Sequence, residues 1–183
     1  MFIEFPNDRT TYYLDQQFML GESLLVAPVF AEDNDEVEFY LPAGTWTSFW
    51  SSEDVIVGPT WVRRRVPYEE IPVFVRENTV LALGKPGIGR PDYDYTNDLE
   101  VHIYGPLNEG RQVTAVIPSG KGVDRPVEIR ATCLRRESSA EIKVEISKGQ
   151  LNGSWRAVWH RSGSSTEAEG QTCTELIFKE FVP

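Results

Sequence analysis

Carboxylate side chains lie close together at three places in the sequence, and paired carboxylates can perform acid–base chemistry. The pairs are Glu36 with Glu38, Glu69 with Glu70, and Asp92 with Asp94. Two carboxylates divide such work only when a fixed gap and different surroundings separate their roles. Adjacent residues, or residues two apart on one segment, do not define that gap. We therefore interpret the first pair as solvated residues on one strand face and the second pair as part of a loop.

Metal-binding and nucleophilic chemistry find little support in the sequence. The histidines are His102 and His160, the cysteines are Cys133 and Cys173, and their spacing fits neither a zinc site nor a disulfide framework. We interpret the histidines as ordinary strand residues that lack a nearby second ligand, and the cysteines as free thiols. Residues 33–36 lack the spacing and the glycine of an EF-hand calcium loop, so we assign them to a turn. The sequence thus predicts no metal site and no cofactor.

The composition excludes several classes of partner. The 183 residues include 18 basic and 28 acidic side chains, which gives a net charge of −10. This charge repels phosphate backbones and anionic headgroups, so neither nucleic acid nor a membrane is an expected partner. No apolar stretch approaches the roughly 20 residues that span a bilayer. The N-terminus lacks the basic segment of a signal peptide, which favours a cytoplasmic location.

The first 29 residues differ from the rest of the chain in their pattern of apolar and polar residues. Residues 1–6 form a short apolar run that predicts a strand, and residues 10–21 have helical spacing with Gly21 at the exit. Residues 23–29 are a continuous apolar run, which is typical of a parallel strand covered on both faces. Two such strands and a helix need neighbours. Residues 1–29 therefore predict the end of a fold that begins upstream.

The remaining chain predicts short strands separated by turns, as in antiparallel sandwiches or barrels. A Gly/Pro-rich linker at residues 84–91 divides this part, so we expect β-domains over residues 30–88 and 89–183. The predicted strands are 37–41, 45–50, 55–57, 61–66, 71–76, 79–83, 99–104, 112–117, 126–133, 140–146, 154–160 and 173–181.

Five blocks of sequence together resemble one known family. The segments FIEFPND (2–8), LDQQFMLG (14–21) and SLLVAPV (23–29) resemble the closing part of the catalytic barrel in glycoside hydrolase family 31. The segments YLPAGTW (40–46) and IPVFVRENTV (71–80) resemble the proximal C-terminal β-domain of the same family. The implied fold is mainly β, with the end of a (β/α)8 barrel at residues 1–29 followed by two antiparallel β-sandwich domains.

A further feature points to one branch of that family. The segment LALG (81–84), followed by RPDYDY (90–95), resembles the bacterial-type α-xylosidases more than the α-glucosidases. The resemblance implies hydrolysis of terminal α-xylosyl residues. Hydrolysis of α-glucosides by a member of the same family is the alternative.

The resemblance also implies a retaining mechanism, in which two carboxylates about 5–5.5 Å apart act as nucleophile and acid/base. In the family both carboxylates, and the Arg and His that clamp the substrate, come from barrel strands upstream of the segment that matches Met1. No residue of this chain corresponds to them. We therefore expect no catalytic residue here, unknown substrate-binding residues, and no activity of the chain alone. The carbohydrate substrate would bind the missing barrel, and the intact enzyme is expected to be a homo-oligomer.

Some residues of this chain could still lie near a ligand. Glu4, Asn7 and Asp8 would approach the active-site rim of a barrel, where we expect them to buttress the site. Residues 92–95 could contact sugar or a neighbouring subunit, but we favour packing of the linker as their role. Three tryptophans in or near predicted strands could stack on sugar rings, although strand aromatics are usually core residues. They are Trp46, Trp50 and Trp61.

A different class of function also fits the sequence. The chain could be a stand-alone carbohydrate-binding or structural β-protein without catalytic activity. The reading frame upstream of Met1 distinguishes the two hypotheses, because a fragment requires an in-frame barrel that carries the catalytic aspartates.

Overall fold

The structure is a computed structural model that describes residues 1–30, 36–84, 93–105, 110–118, 126–136, 139–161, 164–170 and 175–181. Nearly all the regular secondary structure of the described residues is β-strand, which confirms the predicted mainly β class. Two compact units are present, Met1–Glu77 and Asn78–Pro183. Among the described residues, no helix has the length and apolar character needed to cross a membrane.

The first unit is built on one five-stranded sheet in which every neighbouring pair is antiparallel. The strand order is β1-β2-β5-β3-β4. One face of the sheet buries a cluster that includes Leu25, Phe39, Trp46 and Phe74, and Phe5 packs against it. The strands are β1 (Phe18–Leu20), β2 (Leu24–Val26), β3 (Glu36–Ser48), β4 (Val55–Arg65) and β5 (Val73–Arg76).

The N-terminal segment does not form the predicted parallel strand–helix–strand. Residues 2–4 are in turns, and a short 3₁₀ helix spans Arg9–Tyr13. Strands β1 and β2 pair antiparallel, with Phe18 opposite Val26, and Gly21 turns the chain between them with a φ of 65°. The continuous apolar run at residues 23–29 was misleading, because such a run arises wherever a strand is covered on both faces, whatever the direction of its neighbours.

Strand β3 continues through the predicted turn at Pro42–Gly44. Its pairing with β4 shifts register between Leu41 and Gly44, so the extra residues form a bulge within one strand. Proline is tolerated at a bulge because its missing N–H breaks no ladder bond there. On β4, Gly58 faces this bulge, and a Cβ at that position would collide with the carbonyl oxygen of Pro42. The proline therefore bends the strand without ending it.

The second unit is a sandwich of two four-stranded sheets, with strand orders β13-β10-β9-β8 and β12-β11-β7-β6. Residues from both sheets form one core, which includes Val101, Ile103, Ile129, Val144 and Trp159. The strands are β6 (Thr79–Leu83), β7 (Leu99–Tyr104), β8 (Gln112–Ile117), β9 (Val127–Arg136), β10 (Ser139–Lys148), β11 (Trp155–Arg161), β12 (Ser164–Gly170) and β13 (Glu175–Phe181).

Two details of the second unit differ from the prediction. Strands β7 and β11 pair in parallel, while the other pairs are antiparallel. The unit begins at Asn78 because β6 pairs with β7, so the division between units precedes the linker predicted at residues 84–91. Beyond Gly84, that linker lies outside the described residues.

Candidate functional site

A hollow of about 440 Å³ opens on the first unit. One wall is the segment Tyr13–Gln17, which joins the 3₁₀ helix to β1. The opposite wall is the start of β3 with Trp61 of β4, and Pro28 and Phe30 complete the lining. The hollow thus combines aromatic surface with amide and carboxylate groups.

Gln17 fixes the first wall to the sheet. Its side chain is only 7% exposed. The amide Nε2 donates to the carbonyl oxygen of Tyr40 at 2.8 Å, and the N–H of Tyr40 donates to Oε1 of Gln17 at 2.7 Å. This half of β3 pairs with β4 on one side only, because β5 reaches no further than Trp46–Ser48. The glutamine therefore takes the place of a missing strand by satisfying both backbone groups.

Trp61 and Tyr40 form the aromatic wall. They are directly opposite in the β3–β4 ladder, and their ring centroids lie 5.3 Å apart. The hydroxyl of Tyr40 donates to Oδ2 of Asp8 at 2.7 Å, while Oδ1 of Asp8 accepts from the N–H of Thr10 at 3.0 Å. Burial and the neighbouring Asp8 carboxylate raise the pKa of Tyr40, so its hydroxyl stays protonated and remains a donor. The Tyr40 ring thus packs against Trp61 and positions it, while 54% of Trp61 stays exposed.

Charged residues line the rim of the hollow. Glu36 pairs with Arg63 at 2.7 Å and with Arg65 at 3.4 Å. The hydrogen bond from Arg63 lowers the pKa of Glu36, so this carboxylate stays ionised and neutralised by its partners. Asp15 and Glu38 also face the hollow and are exposed. The rim therefore carries a negative charge.

The predicted carboxylate pairs differ in their surroundings. Glu36 and Glu38 share one strand face, as the alternation predicts, and both line the hollow. Glu69 and Glu70 lie exposed in the loop before β5. Asp94 organises a turn, since its Oδ1 accepts from the N–H of Thr96 at 3.0 Å and its Oδ2 accepts from Asn152 at 2.7 Å. Asp92 and residues 33–35 lie outside the described residues.

The three residues predicted near a barrel rim have separate places. Asp8 begins the 3₁₀ helix and accepts the hydroxyl of Tyr40, whereas Glu4 and Asn7 are exposed. Asp8 is thus a residue that orders its own unit. A buttressing role for these residues in a larger enzyme stays a prediction.

Trp46, Trp50 and Trp61 differ in exposure, and the sequence does not reveal which of them are exposed. Trp46 is fully buried, as expected of a strand aromatic, but Trp50 and Trp61 are each 54% exposed. The expectation that strand aromatics belong to the core is therefore wrong for Trp61. Trp50 lies just past the end of β3, where its indole N–H donates to the carbonyl oxygen of Ile71 at 2.8 Å.

The two histidines are neighbours, contrary to the expectation that each lacks a second ligand nearby. The parallel pairing of β7 with β11 places Nδ1 of His102 2.8 Å from Nε2 of His160. The ring of His160 stacks on Tyr104 at 4.4 Å, and Nε2 of His102 lies 3.3 Å from Glu100. Burial, aided by His102, lowers the pKa of His160 to about 4. Even so, no group of three or more His, Cys, Asp or Glu within the described ranges could hold a metal ion.

The structure describes one of the two cysteines. Cys133 is buried and forms no disulfide among the described residues. Cys173 lies outside the described residues.

Large apolar side chains are exposed throughout the first 30 residues. We call this set the N-terminal apolar surface, and it comprises Phe2, Ile3, Tyr12, Tyr13, Phe18, Leu20 and Phe30. Contiguous exposed apolar patches on proteins mark sites of protein, membrane or ligand contact.

Two family models match the chain. The model of the glycosyl hydrolase family 31 C-terminal domain matches residues 1–81, and that of the α-xylosidase YicI C-terminal domain matches residues 94–179. Together they cover most of both compact units.

Curated relatives are much longer than this chain. The α-xylosidase XylQ of Lactiplantibacillus pentosus is 33% identical over 153 residues, which are 82% of this chain and 18% of the relative. Alpha-glucosidase 2 of Bacillus thermoamyloliquefaciens is 32% identical over 165 residues, which are 85% of this chain and 20% of the relative. The chain thus spans about a fifth of the length of these relatives.

Solved structures share the fold at lower identity. The family 31 dextranase of Flavobacterium johnsoniae in complex with glucose superposes with a TM-score of 0.71 at 22% identity, over 87% of this chain and 21% of that one. The family 31 α-xylosidase of Xanthomonas citri has a TM-score of 0.69 at 21% identity, over 97% of this chain and 21% of that one. At these identities the likeness establishes the fold alone.

Proposed function

The chain belongs to glycoside hydrolase family 31, and on that premise we propose that it is the non-catalytic C-terminal part of an enzyme that hydrolyses terminal α-xylosyl residues. The observation that carries the choice of substrate is the match of residues 94–179 to the C-terminal domain of an α-xylosidase. The 33% identity to the α-xylosidase XylQ supports it. Hydrolysis of α-glucosides is the second candidate, because alpha-glucosidase 2 is 32% identical over a similar length.

The carboxylates of the first unit support a non-catalytic role for this chain. A retaining glycosidase needs two carboxylates about 5–5.5 Å apart across the scissile bond, one of them protonated. Asp8 is engaged with Tyr40 and the N–H of Thr10, and Glu36 is neutralised by two arginines. Both groups therefore stabilise their own unit. We infer that the catalytic pair lies in another part of the hydrolase.

The N-terminal apolar surface supports a bracing role. Its side chains lie on residues 2–13 before the sheet, on strand β1 and just past strand β2. Covering their exposed apolar area would stabilise a contact by about 25 cal/mol per Å². The proposed occupant is the catalytic domain of the same hydrolase, which would belong to the remaining four-fifths of the length of the relatives. It would cover Phe2, Ile3, Tyr12, Phe18 and Leu20, while Tyr13 and Phe30 line the hollow and stay outside this contact. Assembly of the intact enzyme into a homo-oligomer stays a prediction, as does its cytoplasmic location.

A chimera tests this proposal. The matching C-terminal region of XylQ is replaced by this chain, and hydrolysis of aryl α-xyloside and aryl α-glucoside is measured. We expect the chimera to retain hydrolysis with a higher kcat/KM for the xyloside, and this chain alone to be inactive. Hydrolysis by this chain alone would overturn the non-catalytic assignment. A chimera that favours the glucoside, made beside a parent that favours the xyloside, would support the second candidate.

A further inference from the structure

We propose that the hollow between the segment Tyr13–Gln17 and strands β3 and β4 binds a neutral saccharide, whose ring stacks on the indole of Trp61. This would be a second carbohydrate site, separate from the catalytic site that the proposed function assigns to another part of the hydrolase. The volume of about 440 Å³ lies within the roughly 300–1,000 Å³ of small-molecule sites.

The aromatic platform is formed before any ligand arrives. Tyr40 lies 5.3 Å from Trp61, and its own position is fixed by the Asp8 carboxylate on its hydroxyl and by Gln17 on its backbone. A side chain that is already ordered loses little freedom when a ligand binds, so even a small contact area can give measurable affinity. Trp61 therefore offers a flat apolar face next to the polar groups of the hollow.

The polar groups around that platform suit hydroxyl groups. The carboxylate oxygens of Asp15 and Glu38 accept hydrogen bonds, while the amide of Gln16 both donates and accepts. A sugar hydroxyl can donate to the first two and exchange hydrogen bonds with the third. Stacking on an aromatic ring with hydrogen bonds at its edge orients such a ligand.

The same groups disfavour other ligands. The rim has three carboxylates, on Asp15, Glu36 and Glu38, against the two guanidinium groups of Arg63 and Arg65, so its net charge disfavours phosphates and uronic acids. A purely apolar ligand would strip water from the carboxylates without replacing their hydrogen bonds. A cation would be attracted, but the carboxylates are exposed, and a point charge gains little from exposed partners. A neutral polyhydroxylated ring is the class that uses both the indole and the rim.

The experiment uses this chain labelled with ¹⁵N and titrated with xylose, glucose and maltose, with tetramethylammonium as the cationic probe. We expect saturable shifts of the Trp61 indole and the Gln16 side-chain amide, with a dissociation constant in the millimolar range. Trp61→Ala should weaken binding about tenfold or more. Trp50→Ala is the matched control, since Trp50 is equally exposed and lies outside the hollow, and it should bind like the parent protein.

Each outcome decides the proposal. No saturable shift with any sugar at hundred-millimolar concentrations, or equal binding by the Trp61→Ala and Trp50→Ala proteins, would overturn it. Shifts with tetramethylammonium alone would replace the saccharide by a cation. If Trp61→Ala fails to fold, the double variant Asp15→Asn and Glu38→Gln is titrated instead. A sugar should bind this variant a few-fold more weakly than the parent protein, whereas a cation should not bind it at all. The proposed function depends on the activity of the chimera, so either idea can fail without the other.

Discussion

Replacing Gln17 by alanine would leave two backbone groups of Tyr40 without their partners. The side chain of Gln17 bonds both the N–H and the C=O of that residue, at 2.7 and 2.8 Å, in a part of β3 that has a strand on one side only. A buried donor or acceptor that loses its partner costs about 1–3 kcal/mol, which gives about 2–6 kcal/mol for the two. Because the hollow is open, water will reach part of the vacated space. We therefore expect the free energy of unfolding to fall by about 2–4 kcal/mol.

The assay is denaturation by urea, followed by the fluorescence of the tryptophans in the first unit. The fully buried Trp46 reports the loss of its core. Gln17→Ala should lower the midpoint concentration without changing the slope of the transition. The matched control is Gln16→Ala, in which the neighbouring exposed side chain is removed, and it should change the free energy of unfolding by no more than about 0.5 kcal/mol.

A second variant tests the geometry of the two hydrogen bonds. In Gln17→Glu, one carboxylate oxygen can still accept from the N–H of Tyr40, but the other faces its carbonyl oxygen and repels it. Protonation restores a donor there, so the folded protein should raise the pKa of the new carboxyl above its unfolded value. The variant should then be stabilised as pH falls through that raised pKa. If Gln17→Ala unfolds like Gln16→Ala, or if Gln17→Glu shows no relief in acid, the assignment of Gln17 as a substitute strand partner is refuted.

Other predictions follow from the ion pairs, the histidines and the exposed surface. Arg64→Ala should lower the free energy of unfolding, measured by urea denaturation, by about 1–3 kcal/mol, because Arg64 covers two core aromatic rings and pairs with a carboxylate. The control is Arg63→Ala, which removes an exposed ion pair and should lower the free energy of unfolding by less than about 1 kcal/mol. His160 has a pKa of about 4 in the folded protein, below its ordinary value of 6.5, so it contributes stability that is present above about pH 6.5 and is lost as pH falls towards 4. An NMR titration of its ring tests that pKa, and a midpoint near 6.5 would contradict it. The double variant Ile3→Ser and Tyr13→Ser should lower binding of an apolar dye by this chain, and unchanged fluorescence of the dye would show that the N-terminal apolar surface is already covered.

Local patterns in the sequence determined where many strands lie. The predicted strands 99–104 and 112–117 coincide with β7 and β8, because alternation of apolar and polar residues depends only on the two faces of one strand. The family blocks were equally local, since each is a short run of residues that the C-terminal domain model also matches. The class of fold and the family therefore followed from neighbouring residues alone.

Pairing between distant segments was decided only by the tertiary structure. Nothing in residues 10–29 distinguishes the antiparallel β1–β2 hairpin from a parallel unit, because the direction of pairing depends on where the partner strands come from. His102 and His160 are 58 residues apart and meet through the parallel pairing of β7 with β11, whose register no local pattern encodes.

The hollow, too, was predictable in its residue types but not in its geometry. The aromatic and carboxylate residues that line it were visible as residue types, and Trp61 was recognised as a possible stacking residue. Its exposure, in contrast to the complete burial of Trp46, follows from which face of the sheet the core of the first unit covers. Which face of the sheet is buried depends on the whole packed unit, because every element that lies against the sheet helps to cover it. The sequence of one strand therefore cannot specify which of its two faces is buried.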